Sequence, residues 1–139
     1  MKPENRCIGR VNKHLPGEIY YLKLNLPYTG GVADSYYSGV AGDLWVEYKW
    51  LPVLPRKLCL TDGKDPYVTR LQRLWLIGRH AEGRCVRIFV GSPEGVLIVS
   101  VPEIDATWDR EEIRNRLVDE VMAAEWIEQR THGLAALLL

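Results

Sequence analysis

The chain has 139 residues, 47% of them hydrophobic and 26% charged, with a formal net charge of zero at pH 7. This composition is typical of a globular protein, and the length predicts one domain over residues 1–139 with a single core. No run of about 18 apolar residues occurs and residues 1–6 lack an apolar signal core, which argues against a membrane span or a secretory leader. The odd number and wide spacing of Cys7, Cys59 and Cys85 favour a reducing cytoplasm over disulfides or a cysteine metal site.

Helical and strand patterns alternate along the first half of the chain. Ile8, Val11 and Leu15 recur at helical spacing before a Pro-Gly pair, which predicts a first helix near 4–14. Strands are predicted over 18–24, 32–37 and 43–49, the last two as a hairpin through 38–42. The basic, proline-broken segment 51–66 predicts a loop.

The second half predicts a helix near 67–82, strands over 85–90 and 95–101, and a final helix over 109–130. Glu111 and Glu112 would stabilise the first turn of that final helix, and Gly133 would end it. The order of one helix, three strands, one helix, two strands and one helix predicts an α/β fold, in which helices flank a mixed β-sheet.

The most informative residues lie on and just before the strand at 43–49. Side chains two apart on a strand share a face, so Glu47 and Lys49 should point one way and Tyr48 the other. Asp34 lies 13 positions before Glu47. Two carboxylates beside an ammonium can hold Mg²⁺ or Mn²⁺ and activate a water, which suits phosphodiester hydrolysis.

These residues resemble the signature of the PD-(D/E)XK nucleases, with Val32-Ala33-Asp34 in place of Pro-Asp and Glu47-Tyr48-Lys49 as the (D/E)XK element. Gln72, followed by an aromatic residue three positions later, resembles the VRR-NUC branch, and Glu4 looks like the first-helix glutamate of such nucleases. The resemblance covers roughly residues 3–92. It implies a restriction-endonuclease-like core over 3–101, with the helix 109–130 after it.

The resemblance also implies roles for individual residues. Asp34, Glu47 and the backbone carbonyl of Tyr48 would be metal ligands. Glu4 would complete a second metal position. Lys49 would orient the attacking water or stabilise charge on the phosphate, and Gln72 would contact that water or a phosphate.

Each of these residues also has an ordinary structural explanation. Asp34 would then be a turn residue and Glu47 an ordinary exposed carboxylate on a strand. Lys49 would form a cross-strand ion pair with Glu47 or Asp43, worth about 0.2–1 kcal/mol. Glu4 would be a helix-start charge favoured by the helix dipole, and Gln72 a solvated helix residue.

Charge is unevenly distributed along the chain. Residues 1–90 contain 14 Lys and Arg against 8 Asp and Glu, a net charge of +6, whereas residues 91–139 contain 4 against 10, a net charge of −6. Phosphate attraction depends on the local field, so the basic half favours nucleic acid, although the segregation is also compatible with no function. The predicted contacts to the DNA backbone are Lys23, Arg10, Lys13, Arg56, Lys57 and Arg79.

The sequence therefore predicts a metal-dependent DNA endonuclease, with branched DNA or a Holliday junction as one candidate substrate. The stand-alone architecture resembles that of nucleases carried by phages, which would act in the host cytoplasm. The apolar stripe of the final helix and the tail 134–139 predict a homodimer. The alternatives are a non-catalytic DNA-binding or interaction protein on this fold, and a structural subunit that binds neither DNA nor metal.

Overall fold

The computed structural model describes residues 2–24 and 30–133. The elements are α1 (Pro3–Asn12), β1 (Tyr20–Lys23), β2 (Ser35–Gly39), β3 (Gly42–Trp50), β4 (Lys57–Cys59), α2 (Arg70–Ala81), β5 (Val86–Ser92), β6 (Gly95–Ser100), a 3₁₀ turn (Val101–Glu103), β7 (Thr107–Asp109), α3 (Arg110–Arg116) and α4 (Glu120–His132). None of the helices in these ranges is both long enough and apolar enough to cross a membrane.

Five strands form the central sheet in the order β1-β2-β3-β5-β6. β3 and β5 are parallel, and the other neighbours are antiparallel, so the sheet is mixed, as the sequence predicts. The parallel pair needs a crossover, and α2 lies within it. β4 and β7 form a separate two-stranded sheet.

Helices cover both faces of the central sheet, which divides the core into two clusters. On one face, Val46 and Tyr48 of β3 and Phe89 of β5 belong to a cluster that includes residues of α1 and α4. On the other face, Ile88 packs in a cluster with Leu76 of α2 and residues of α3. Central strands buried on both faces need nearly continuous apolar sequence, which explains why β5 is hydrophobic throughout its middle.

The single helix predicted over 109–130 is wrong, because the chain forms two helices there. Leu117 is extended after α3, and the backbone N–H and C=O of Val118 bond to Val96 at 2.9 and 2.7 Å. Asp119 then caps α4 by accepting a hydrogen bond from the backbone N–H of Met122 at 2.7 Å. The apolar stripe that predicted a dimer is therefore split between two helices, and the tail 134–139 lies outside the described residues.

Smaller differences concern boundaries and one short strand. The segment 51–66 contains β4, because Leu58 pairs with Trp108 of β7 across a long sequence separation. α2 begins at Arg70 and not at 67, and β2 begins at Ser35 and not at 32.

Candidate active site

Asp34 lies immediately beyond the paired end of β2, beside the second half of β3. The last β2–β3 pair is Ser35 with Val46, so β2 does not extend alongside Tyr48. The Tyr48 N–H donates instead to Oδ2 of Asp34 at 2.9 Å. Because the N–H and C=O of one strand residue point to the same side, the Tyr48 carbonyl also faces the gap beside Asp34. The backbone of β3 thus positions one carboxylate and one carbonyl oxygen together.

Glu47 is buried on the opposite side of β3 from the Tyr48 ring, with 1% of its surface exposed. Its Oε1 accepts a hydrogen bond from Gln72 Nε2 at 3.2 Å and lies 3.9 Å from Lys49 Nζ. Within the described residues, its Oε2 is buried without a hydrogen-bond partner. An unpartnered buried oxygen costs folding free energy, on the order of 1–3 kcal/mol.

The electrostatic environment favours the protonated form of Glu47. Burial is the largest cause, followed by the charge of Asp34, and together they raise the pKa of Glu47 to about 9 against the opposing effect of Lys49. Asp34 therefore lies near enough to Glu47 that its charge opposes the ionisation of Glu47.

Gln72 connects α2 to Glu47 and Lys49 of β3. Its Oε1 accepts hydrogen bonds from Lys49 Nζ at 3.0 Å and from the backbone N–H of Thr69 at 2.9 Å. The Thr69 hydroxyl in turn accepts from the Gln72 N–H at 3.2 Å, which completes a capping box. The amide is thus fixed by the helix start while it orients Lys49 and Glu47.

Thr69 was not among the predicted site residues, although the sequence contains the signal that identifies it. The spacing of Thr69 and Gln72 matches the capping-box pattern, which places a helix start at Thr69. Gly31 is a second residue that supports the site. Its φ is 88°, and an added Cβ would lie 2.4 Å from the carbonyl oxygen of Leu71, so only glycine lets this segment approach the first turn of α2.

Glu4 lies in the first turn of α1, on the fringe of the carboxylate pair. Its charge helps to raise the pKa of Glu47, but less than burial and the charge of Asp34 do. In residues 2–24 and 30–133, no three or more His, Cys, Asp and Glu side chains form a group that could hold a metal ion. Glu4 is therefore near enough for its charge to affect Glu47, but it does not complete a cluster of three carboxylates with Asp34 and Glu47.

The predicted DNA contacts are not gathered at one place. Lys23 is paired with Ser35, next to Asp34, and so lies close to the site. Arg10 is ion-paired with Glu120 at 2.6 Å. Lys13 is exposed just after the last turn of α1, roughly 13 Å along the helix axis from Glu4.

The other three predicted contacts lie away from the carboxylates. Arg56 and Lys57 are exposed at the start of β4, where Lys57 pairs with Asp109 of β7. Arg79 lies in the last turn of α2, about 10 Å along the helix from Gln72. It is ion-paired with Glu82 at 2.6 Å, so the structure does not bring it to Glu47.

Comparison with known proteins supports the fold. No protein-family model matches the chain, and no curated protein matches it. Among solved structures, the chain is similar to the 1.6 Å structure of Archaeoglobus fulgidus Hjc, a Holliday junction resolvase from an archaeal hyperthermophile. The TM-score is 0.55 at 12% sequence identity, and the match covers 87% of this chain and 99% of that chain. The likeness establishes that the chain has a restriction-endonuclease-like α/β fold.

Proposed function

We propose that the protein is a metal-dependent DNA endonuclease that hydrolyses phosphodiester bonds. One observation carries the proposal. Glu47 is buried beside Asp34, its Oε2 has no hydrogen-bond partner among the described residues, and its one ion-pair contact, Lys49 Nζ, lies 3.9 Å from Oε1. A divalent cation between the two carboxylates would relieve both the repulsion and the unpaired oxygen.

The chemistry of the donor set fits Mg²⁺ or Mn²⁺. These hard cations prefer oxygen ligands and keep several waters, so two carboxylates and one carbonyl make a suitable partial shell. Asp34, Glu47 and the Tyr48 carbonyl would hold the cation. When bound, it would supply positive charge that polarises the scissile phosphate and lowers the pKa of a water.

The remaining residues act on the phosphate and the water. Lys49 is 14% exposed at its side chain, so its ammonium can reach a ligand that enters from solvent. It would donate to a phosphate oxygen on which charge develops, or orient the attacking water. Gln72 fixes Lys49 through the 3.0 Å hydrogen bond, so the ammonium need not be ordered at the moment of reaction.

Branched DNA is the substrate that we propose to test first. The fold is shared with a protein described as a Holliday junction resolvase, and the site lies in the basic half of the chain. The resemblance to the VRR-NUC branch rests on the Gln72 pattern, and the resemblance to nucleases carried by phages rests on the stand-alone architecture. The catalytic proposal depends on neither resemblance.

The test is cleavage of four-way junctions, flaps and linear duplex in parallel, with Mg²⁺ or Mn²⁺ and with EDTA. Asp34→Ala, Glu47→Ala and Lys49→Ala should each lower cleavage by roughly 10²-fold or more while circular dichroism shows a folded chain. Asp62→Ala and Glu125→Ala, which make the same change at exposed positions, should retain activity. Unchanged cleavage in the three site variants would refute the site, whereas equal cutting of all DNA forms would remove only the preference for branches.

A non-catalytic DNA-binding protein is the second candidate, favoured by the absence of a three-residue ligand cluster in the described ranges. The two candidates differ in their response to metal. A metal-binding site should raise the melting temperature with millimolar Mg²⁺ or Mn²⁺, because the cation binds only the folded form. No shift in melting temperature, together with intact DNA binding, would favour the non-catalytic protein.

We also propose a homodimer, since resolution of a four-way junction requires two cuts. Val121 and Met122 of α4 are 44% and 50% exposed and offer an apolar contact. A light-scattering mass of one chain, 15.9 kDa, would refute the dimer without affecting the nuclease.

A further inference from the structure

A second concave site lies at the opposite end of β3 from Glu47. It is a cavity of about 750 Å³ between the β2–β3 hairpin, the end of α2 and the end of α4. This volume lies within the range of small-molecule sites in proteins. We call it the arginine cavity, because its wall includes Arg79, Arg84 and Arg130, together with Tyr36, Trp45 and Asp43.

The three guanidinium groups come from separate elements that hydrogen bonds hold in place. The backbone N–H of Arg84 donates to the carbonyl of Arg79 at 3.1 Å, so the turn after α2 brings these two residues together. The N–H of Ala41 donates to the carbonyl of Thr131 at 2.7 Å, which fastens the hairpin to the end of α4 beside Arg130. The fold therefore fixes the backbone positions from which the three arginine side chains reach the wall of the cavity.

The charges at the arginine cavity are not balanced within the described residues. Asp43 is the carboxylate of the wall, and Ser38 already donates a hydrogen bond to it at 2.8 Å. Glu82 neutralises Arg79 from outside the wall. Arg84 and Arg130 are both exposed, and neither forms an ion pair with any residue in 2–24 or 30–133. Like charges held near one another favour an anion between them.

The aromatic part of the wall narrows the chemical class of the anion. The rings of Tyr36 and Trp45 are 4.7 Å apart between centroids and tilted by 50°, and both are partly exposed. Trp45 is further fixed by an edge contact with Trp75 of α2, at 5.3 Å. An aromatic surface beside guanidinium groups is the combination that binds the base and the phosphate of a nucleotide.

We propose that the arginine cavity binds a nucleotide, with the phosphate against Arg84 and Arg130 and the base against the Tyr36–Trp45 surface. The shared chemistry is a phosphate ester that carries a base, supplied by a free nucleotide or by an unpaired DNA strand. The site is distinct from the carboxylate pair. A result against it leaves the nuclease proposal untouched, because binding here requires neither metal nor cleavage.

The test is a titration of the uniformly ¹⁵N-labelled full chain, followed by NMR in EDTA. The probes are thymidine monophosphate, single-stranded tetrathymidylate, thymidine, inorganic phosphate and tetraglutamate. Thymidine monophosphate or tetrathymidylate should shift the amide signals of Gly42, Gly83 and Cys85 and the indole signal of Trp45, all of which lie in the cavity wall. The tighter of these two probes identifies the source of the nucleotide.

Arg84→Ala combined with Arg130→Ala should weaken nucleotide binding about tenfold or more, since charge-assisted hydrogen bonds are lost. Arg114→Ala is the matched control. It removes an exposed arginine of α3 that pairs with Glu94 at 3.0 Å, and it should bind the nucleotide as the wild type does.

Three outcomes of the wild-type titration would overturn the proposal: no shifts of the cavity signals, inorganic phosphate binding as tightly as thymidine monophosphate, or tetraglutamate binding more tightly than either nucleotide probe. Nucleotide binding by the double variant that equals binding by the wild type would also overturn it. Phosphate affinity equal to that of the nucleotide would leave the aromatic surface without a role. The wild-type titration locates the site by itself, so the test does not depend on whether the double variant folds.

Discussion

Glu47→Gln is expected to stabilise the metal-free protein, and the gain should grow with pH. The carboxyl group is 1% exposed, and burial and the Asp34 charge raise its pKa from 4.5 to about 9. The folded protein therefore holds a proton on Glu47 that the unfolded chain loses above its ordinary pKa. A carboxyl group whose pKa is raised on folding makes the free energy of unfolding fall as pH increases from about 4.5 towards about 9.

The size of the effect follows from the same linkage. One pH unit is worth at most about 1.36 kcal/mol for one group. Between about pH 5.5 and pH 7.5, the difference in free energy of unfolding should therefore shift in favour of the variant by up to about 2.7 kcal/mol.

Urea unfolding in EDTA at several pH values measures this difference directly. Glu125→Gln makes the same chemical change at an exposed position of α4 and should stay within about 0.5 kcal/mol of the wild type at every pH. A difference between wild type and Glu47→Gln that does not vary with pH, or that moves in favour of the wild type as pH rises, would refute the account of a buried, charge-repelled carboxyl group.

Metal should reverse the order of stability. A cation bound by Asp34 and Glu47 stabilises the wild type by about 1.4 kcal/mol at a concentration ten times its dissociation constant. Glu47→Gln loses a charged ligand and should gain less. The same unfolding series with Mg²⁺ therefore separates the catalytic proposal from the electrostatic one, because the pH effect in EDTA would persist even if no metal bound.

Three further predictions concern residues that support the site or the fold. Gln72→Ala should cost about 1 kcal/mol of stability because the capping box is lost, and it should also lower the cleavage rate because Lys49 is released. Gln72→Glu should keep the cap, and unfolding and cleavage assays on both variants check this. Gly31→Ala should destabilise by roughly 1–3 kcal/mol, measured as a fall in the urea midpoint, because its φ of 88° and the close backbone of α2 exclude a Cβ. Arg116 lowers the pKa of Glu103 to about 2, so the stability from this pair is present above about pH 4.5 and lost as pH falls towards 2; Glu103→Gln should flatten that acid limb in an unfolding series.

The sheet and the strand that carries Glu47 and Lys49 could be predicted because the relevant signals are local. Alternation along β3 identified which side chains share a face, and the structure has Glu47 and Lys49 in contact on one side with the Tyr48 ring on the other. Asp34 is different, since its position depends on the register of β2 against β3. The hairpin between β2 and β3 fixes that register, which is how two residues 13 positions apart come to lie beside the same stretch of β3.

The errors arose where long-range pairing overrides local preference. Residues 109–130 have helical periodicity throughout, but two hydrogen bonds between Val118 and Val96 interrupt the helix. The local sequence around Val118 does not indicate that it pairs with a residue so distant in the chain. Asp119 is an N-cap residue type and was the available local signal. β4 was missed for the same reason, since a three-residue strand has almost no periodicity of its own.

Position 47 contains a carboxyl group although the stability of the fold alone would favour an apolar side chain there. Glu47 is paired in register with Ile88 of β5, and the neighbouring residues of its strand, Val46 and Tyr48, are buried. An apolar side chain would suit this place, because replacing poorly compensated buried charge with hydrophobic groups often stabilises a protein. Instead, the fold holds a carboxyl group there, opposite a second one anchored to a backbone N–H, with Lys49 and Gln72 fixed beside it. Perturbed carboxyl groups held at such a cost are concentrated at functional sites. The burial of Glu47 thus supports the catalytic proposal independently of the order of the motif residues, and the pH series on Glu47→Gln tests that burial directly.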